Sequence, residues 1–201
     1  ASPAQAVADT ATLIKEVEAI GRASKQGIWP VITPRFIPSC TDEVLHGLGD
    51  LAASTGAYVQ THCNEGQWEH DVVLERFGKT DPYALRDFGL VGERTIMAHC
   101  PYVTEEEGEM FAELGVAIAH CPMANSYFSS AVAPVQRFRK QDIHVGLGTD
   151  ISGGYSPSMY ENIRQAVLVS RLLETGVNAM LPPDERGGLG EGTRVSIVES
   201  F

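Results

Sequence analysis

The sequence predicts an α/β protein with a parallel sheet, and three observations lead to that fold class. Short apolar runs alternate with amphipathic segments, as parallel strands joined by helical crossovers require. Four of the runs end in a chemically useful residue: His62, His99, His120 and Asp150. In parallel α/β proteins, reactive side chains collect where strands end. With a further strand ending near Thr33, five strand–helix units fit the later part of a (β/α)8 barrel, because a whole barrel needs about 250 residues.

Length and composition indicate a globular domain. The chain has 201 residues, 43% of them hydrophobic and 20% charged. We therefore expect one partial barrel domain over residues 1–201, with a Pro/Gly-rich segment at 181–192. The net charge of −11 argues against nucleic acid or an anionic membrane as a partner, but it permits an uncharged nucleobase. No apolar run reaches the roughly 18 residues of a membrane span.

The beginning of the chain and the cysteines point to the cytoplasm. The first residues lack the basic flank and apolar core of a signal peptide. Cys63, Cys100 and Cys121 each directly follow a histidine at a strand end. This placement suits reduced thiols in a cytoplasmic enzyme better than a disulfide framework.

The first part of the chain alternates helix and strand. Apolar spacing predicts a helix over residues 4–24 and a buried strand over 28–33. Thr41 or Ser39 caps a second helix that ends before Gly56. A strand then runs to His62, and a further helix is predicted over residues 71–77.

The second part repeats the pattern. Thr104 and Glu107 form a capping box, and we interpret the acidic turn between them as a solvated helix face. Residues 125–130 are predicted to be a polar loop, followed by helices over 133–141 and 158–174. The Gly-rich stretch 151–156 lacks a P-loop lysine, so its glycines are expected to let the backbone approach the site closely.

Histidine and aspartate at the strand ends define a candidate metal site. They suit zinc or iron at a hydrolytic centre, where one coordination position is kept for water. Glu65, three residues after His62, can reach such a water and move its proton. Arg35 follows the first strand, and its guanidinium could either pair with surface carboxylates or bind a planar ligand through two hydrogen bonds. A lone histidine at a strand end is usually a packed residue, but three in register with Asp150 favour a functional site.

Taken together, the motifs resemble the amidohydrolase superfamily and, within it, the guanine deaminase family. The resemblance covers the whole chain. It rests on Thr33–Phe36, His62–Glu65, Met97–His99, Ala119–Pro122 and Gly146–Asp150 with Gly153 and Gly154. It implies hydrolytic deamination of guanine to xanthine and ammonia with one zinc ion, iron being the alternative metal. Rival hypotheses are another amino-heterocycle, such as 8-oxoguanine or isocytosine, and a non-catalytic remnant that serves only as an interaction module.

The resemblance also implies roles for the matching residues. His62 and Asp150 bind the metal, with Asp150 acting as a local base. Glu65 moves the proton to the ring nitrogen, and His99 assists at the reacting carbon.

Substrate binding is implied for a second set of residues. Arg35 and Phe36 hold the purine, and Gln60 lies beside it together with His62 and Glu65. His120 is expected in a structural position next to the site, oriented by its neighbours.

One part of the family pattern is absent. The family takes two more zinc ligands from a His-x-His motif on its first strand, and no two of the six histidines here are two residues apart. We therefore expect residues 1–201 to hold part of the metal site and to bind zinc weakly by themselves. Open strand edges favour association, so we also expect a homo-oligomer, most simply a dimer. Cys100 stands where a small glycine is expected after His99.

Overall fold

A parallel five-stranded sheet forms the centre of the computed structural model, which describes residues 2–201. The strands are β1 (Val31–Ile32), β2 (Tyr58–Cys63), β3 (Thr95–His99), β4 (Ala117–His120) and β5 (His144–Leu147). They lie side by side in chain order, and all four neighbouring pairs are parallel. Such stepwise crossovers in one direction are those of a (β/α)8 barrel, so the predicted fold class is confirmed.

Helices connect and flank the strands. The described residues form α1 (Pro3–Ala23), α2 (Asp42–Thr55), α3 (Gln67–Phe77), α4 (Asp81–Asp87), α5 (Glu105–Leu114), α6 (Pro122–Tyr127), α7 (Val135–Lys140), α8 (Met159–Thr175) and α9 (Ile197–Ser200). Two short 3-10 turns lie at Ile37–Ser39 and Pro183–Glu185. No helix among residues 2–201 is both long and apolar enough to cross a bilayer.

Local signals explain where the helices begin and end. Thr41 caps α2 by accepting a hydrogen bond from the Val44 backbone N–H, and Thr104 forms the predicted capping box with Glu107. Glycine at positions 56 and 115 ends α2 and α5 in the left-handed conformation. Both glycines turn the chain directly into the next strand, which is the usual function of a C-terminal cap glycine.

The two faces of the sheet differ in burial. On β2, Val59, Thr61 and Cys63 are buried, whereas the alternate residues Gln60 and His62 are on the accessible face. The buried face joins a core whose largest fully buried side chains include Leu45, Leu85, Met97, Phe111, Ile118 and Phe138. Burying a side chain of this size contributes about 1.5–3 kcal/mol, so this face holds the helices on the sheet.

Two boundaries differ from the sequence prediction. The strand predicted over 28–33 pairs only at Val31–Ile32, and Trp29 is 64% exposed. Pro30 lacks the N–H that a ladder needs, so pairing starts only after it. Helix α3 begins at Gln67, four residues before the predicted start, which brings its first turn close to Glu65.

Two environments were also predicted wrongly. Residues 125–130 were expected to form a polar loop, yet α6 includes Asn125 and buries it completely. Pro122 occupies the first helical turn, where its fixed φ favours a helix start. Glu107 was expected on a solvated face but is fully buried, where it accepts a hydrogen bond from the Thr80 hydroxyl.

Candidate active site

Unusual backbone conformations mark the ends of the strands. Asn64, His99, Cys100 and Asp150 all have positive φ, at 41°, 72°, 58° and 49°. Residues other than glycine rarely adopt this region. Such strain persists only where the surroundings fix it, and it clusters at functional sites.

Three potential metal ligands converge at this end of the sheet. His62, His99 and Asp150 each offer a ligand atom, and these atoms lie within 4.8 Å of one another. The two imidazole rings are stacked, with centroids 5.3 Å apart. A carboxylate oxygen of Glu65 lies 3.7 Å from His99 Nε2. The structure thus brings four of the sequence-predicted site residues together.

Hydrogen bonds define the protonation of both imidazoles. His62 Nδ1 lies 2.6 Å from the Arg35 carbonyl oxygen, and His99 Nδ1 lies 3.1 Å from Asn125 Oδ1. Both partners are acceptors, so in the neutral form of each ring the proton lies on Nδ1 and Nε2 keeps the lone pair. His99 Nε2 is buried without a hydrogen-bond partner among the described residues. Metal-binding histidines are oriented in this way, so the donor set fits a zinc-type ion.

Two glycines allow the tight turn around Asp150. Strand β5 ends at Leu147, and Asp150 follows it in a loop. A Cβ at Gly153 would lie 2.6 Å from Asp150 Oδ2, and one at Gly154 would lie 2.0 Å from the Thr149 carbonyl oxygen. Any larger residue would displace the carboxylate or the backbone.

An aromatic group lies next to His62. The Phe36 ring meets the His62 ring edge-on at 6.3 Å, and the Arg35 guanidinium lies 4.8 Å above the Phe36 ring. Trp68, 63% exposed, approaches Phe36 at 6.2 Å. Arg35 forms no salt bridge within residues 2–201, so its donors are available to a ligand. Gln60 lies on the His62 face of β2 and donates to the Thr33 hydroxyl.

Buried carboxyl groups support the loop that carries Glu65. Glu69 Oε2 accepts a hydrogen bond from the Glu65 backbone N–H at 2.7 Å. Burial, aided by the charge of Glu65 and opposed by the hydrogen bond from the Glu65 backbone, raises the pKa of Glu69 to about 7. Burial also raises the pKa of Asp81 to about 8, with a contribution from Glu69. Asp81 is therefore mostly neutral at pH 7, which reduces the negative charge behind the site.

His120 differs from the other two histidines at strand ends. It is buried, its Nδ1 has no hydrogen-bond partner among residues 2–201, and it borders a cavity of about 460 Å³ beside β5. Burial lowers the pKa of His120 to about 3, and His99 adds to the effect. The ring is therefore neutral at physiological pH.

Three residues of this region were not predicted from the sequence. Asn125 was predicted to lie in a loop, and Trp68 and Glu69, which precede the helix predicted over 71–77, were given no role. A sequence signal existed for Asn125. Pro122 directly after a strand end favours a helix start, and such a helix would bury one face, on which Asn125 could lie. Trp68 carried only the weaker signal of an aromatic residue three positions after Glu65.

A parallel sheet with barrel-type crossovers, whose strand ends gather histidine, aspartate and glutamate, is typical of barrel hydrolases. The sequence profile of the amidohydrolase family matches residues 1–186. The chain belongs to this amidohydrolase family.

Individual relatives narrow the comparison. The chain is 40% identical over 151 residues to a probable guanine deaminase of Schizosaccharomyces pombe, covering 74% of this chain and 29% of that protein. A guanine deaminase from C. acetobutylicum, solved with guanine in its active site, superposes with a TM-score of 0.85 at 30% identity, covering 100% of this chain and 45% of that one. An adenosine deaminase from Xanthomonas campestris with bound zinc gives a TM-score of 0.65 at 25% identity, covering 68% and 31%. The chain thus spans less than half the length of each of these relatives.

Proposed function

We propose that the protein hydrolyses guanine to xanthine and ammonia at the C-terminal ends of its strands. The observation that carries this proposal is the convergence of His62, His99 and Asp150 within 4.8 Å, with a Glu65 oxygen 3.7 Å from His99 Nε2. The similarity to guanine deaminases, one of them solved with guanine in its active site, supports guanine as the substrate.

Zinc is the proposed metal, with iron as the alternative, and His62 and Asp150 would hold it. The hydrogen bond from His62 Nδ1 to the Arg35 carbonyl keeps Nε2 unprotonated and fixes the ring orientation. When bound, zinc lowers the pKa of a coordinated water to about 7 and so supplies a nucleophile. The relative with bound zinc supports this choice.

Glu65 and His99 would handle protons at the reacting atoms. Glu65 accepts a proton from the attacking water and delivers it to the ring nitrogen beside the reacting carbon. The water oxygen bonds to that carbon, and its second proton passes by way of Asp150 to the exocyclic amine. The C–N bond then breaks, ammonia leaves and the carbonyl of xanthine forms. Asp150 acts as a local base, while His99 Nε2 assists at the carbon. The hydrogen bond from the Glu65 backbone to Glu69 positions the loop for this transfer.

Arg35 and Phe36 would recognise the purine. Guanine presents O6 and N7 as two acceptors on one edge, which match the parallel donors of a guanidinium. Phe36 would cover one ring face, with Gln60 beside the purine on the same face of β2 as His62. The support is that Arg35 lies over Phe36, and Phe36 lies against His62.

We also predict the assembly, the location and the partners of the protein. We expect residues 1–201 to form one domain of a cytoplasmic homodimer, with no nucleic-acid or membrane partner. The net charge of −11 supports the expectation that neither nucleic acid nor a membrane is a partner. Light scattering of the purified protein tests the homodimer, and a sharp monomer peak would contradict it.

A base panel tests the proposed function. Full-length, zinc-loaded protein is incubated with guanine, 8-oxoguanine and isocytosine, and ammonia release is measured. We expect guanine to be turned over most efficiently, with xanthine and ammonia formed in equal amounts. A chelator should abolish the activity, and added zinc should restore it. Preference for another base, or no ammonia from any of them, would contradict the proposal.

A further inference from the structure

His99 can bind a metal ion or accept a proton through Nε2 only if that nitrogen carries a lone pair. A neutral imidazole exists in two tautomers, and only the form with the proton on Nδ1 leaves a lone pair on Nε2. His99 is fully buried and its Nε2 lies near Glu65. Because water has little access to the ring, a protein group has to select the tautomer.

Asn125 is the group that contacts His99 Nδ1. Its Oδ1 lies 3.1 Å from that nitrogen, and its Nδ2 donates to the Ala131 carbonyl at 3.0 Å. A rotated amide would place its NH₂ against His99 and its oxygen against the Ala131 carbonyl oxygen, where two acceptors would repel. The bond to Ala131 therefore fixes Oδ1 as the atom that faces His99.

The backbone of Asn125 is anchored as well. Its N–H donates to the Cys121 carbonyl at 3.1 Å, and its carbonyl accepts from the Ser130 N–H at 2.8 Å. Both side-chain polar atoms and both backbone polar atoms thus have partners, and the residue is completely buried. A fully satisfied buried polar group holds its neighbours in one arrangement.

We infer that Asn125 is a positioning residue that holds His99 in the Nδ1–H tautomer and directs the Nε2 lone pair into the active site. This inference rests on the proposed function, because it assigns His99 to that site. His62 receives the same support from a backbone carbonyl, which substitution of a side chain does not remove. Selection of the tautomer by a hydrogen-bond acceptor can therefore be tested by substituting Asn125.

Two substitutions separate tautomer selection from packing. Asn125→Leu is nearly isosteric but removes the acceptor. Asn125→Asp keeps an oxygen toward Nδ1–H while losing the donor to Ala131. Asn162→Leu is the matched control: Asn162 is also fully buried, and its Nδ2 donates to the Ser158 carbonyl, with no histidine bonded to it.

The first readout needs neither metal nor substrate. Long-range ¹H–¹⁵N NMR of metal-free, full-length protein reports which ring nitrogen of His99 carries the proton. We expect Nδ1–H in the wild type, in Asn125→Asp and in Asn162→Leu. Asn125→Leu should shift His99 towards the Nε2–H tautomer. An Nε2–H tautomer in the wild type, or an unchanged tautomer in Asn125→Leu, would overturn the inference. If Asn125→Leu does not fold, Asn125→Asp decides: Nδ1–H supports the inference and Nε2–H overturns it.

The second readout concerns the loaded protein. Loss of a group that orients a histidine at a metal site typically costs about 10–100-fold in metal affinity or activity. We expect Asn125→Leu to lower kcat for guanine by about that factor with KM nearly unchanged, and Asn125→Asp to recover most of it. Equal losses in both variants, or in Asn162→Leu, would indicate a packing role. If wild-type protein does not deaminate guanine, the proposed function fails, yet the NMR result still tests Asn125.

Discussion

The two ends of the sheet use the left-handed backbone conformation differently. Where strands begin, Gly56 adopts it before β2 and Gly115 before β4, with φ of 68° and 73°, and Asp142 adopts it before β5 with φ of 59°. Where strands finish, Asn64, His99 and Asp150 adopt it. Glycine does so readily and asparagine and aspartate do so occasionally, whereas a residue such as His99 pays about 1–2 kcal/mol. Residues other than glycine in this conformation are thus more numerous beside the candidate site, as expected where function fixes the backbone.

Several buried polar atoms near the strand ends have no hydrogen-bond partner among the described residues. Near the strand ends, the Asn64 side chain, Glu69 Oε1, both Asp81 oxygens and His99 Nε2 are buried without partners among the described residues. Where the strands begin, Arg94 donates to the Gly56 carbonyl and lies over the Tyr58 ring. Each unsatisfied buried group costs about 1–3 kcal/mol. The chain tolerates these free-energy costs beside the candidate site.

The largest expected effect comes from Glu65→Gln at the strained end. The amide cannot accept the proton, so kcat should fall by roughly 10²–10⁴-fold while guanine still binds. Steady-state kinetics and equilibrium binding of guanine measure the two parts. Glu113→Gln, on the exposed side of α5, is the control and should keep wild-type activity. Wild-type turnover by Glu65→Gln would remove Glu65 from the mechanism.

The next largest effect is expected for Arg35→Ala, and Arg94, at the opposite end of the sheet, provides the comparison. Arg35→Ala removes a charged partner of the substrate, which typically costs about 2–5 kcal/mol. We expect kcat/KM for guanine to fall by roughly two to three orders of magnitude with unchanged zinc content. Arg94→Ala should leave kcat/KM near the wild-type value. Equal kinetics in the two variants would mean that Arg35 is structural.

The buried carboxyl of Asp81 predicts a dependence of stability on pH. Its ordinary pKa of 3.8 rises to about 8 on burial near the charges of Glu69 and Glu107, while the nearby Asn64 backbone N–H lowers it slightly. The folded state therefore binds more protons than the unfolded state between these values, and the free energy of unfolding falls as pH rises through them.

Asp81→Asn should make the folded protein more stable at pH 8 and flatten the pH dependence. Chemical denaturation at several pH values between 5 and 8 measures this slope. Asp87→Asn is the control on the same helix, because Lys79 lowers the pKa of Asp87 and its effect lies at acidic pH. A slope identical in wild type and Asp81→Asn would contradict the prediction.

The smallest expected effect comes from Gly115, at the end of the sheet where the strands begin. Gly115→Ala places a Cβ 3.3 Å from Glu93 Cα at a φ of 73°. We expect a loss of about 1–2 kcal/mol in the free energy of unfolding, with kcat/KM unchanged. Thermal or chemical denaturation measures the loss. A matching loss of activity would show that the two ends are coupled.

The fold could be predicted from the sequence because its signals are local. Apolar runs ending at His62, His99 and His120 set the strands, and Thr41 and Gly56 set the ends of α2. Since parallel strands finish at the same edge, their terminal side chains had to come together there. The proximity of His62 and His99 follows from this rule.

What could not be predicted depends on contacts between distant residues. His99 and His120 end similar runs, yet His99 faces Glu65 and Asn125, whereas His120 is enclosed beside β5. Glu107 looked solvated because its neighbours are acidic, but the Thr80 hydroxyl, 27 residues away, binds it in the core. Periodicity within one segment carries no information on such partners.

The central claim is that the strained end of the sheet holds a catalytic metal. Anomalous scattering at the zinc edge, from crystals of zinc-loaded full-length protein, tests it most directly. The account predicts a peak at roughly 2.0–2.2 Å from His62 Nε2 and from an Asp150 carboxylate oxygen. Bound zinc with neither of these atoms as a ligand would contradict it.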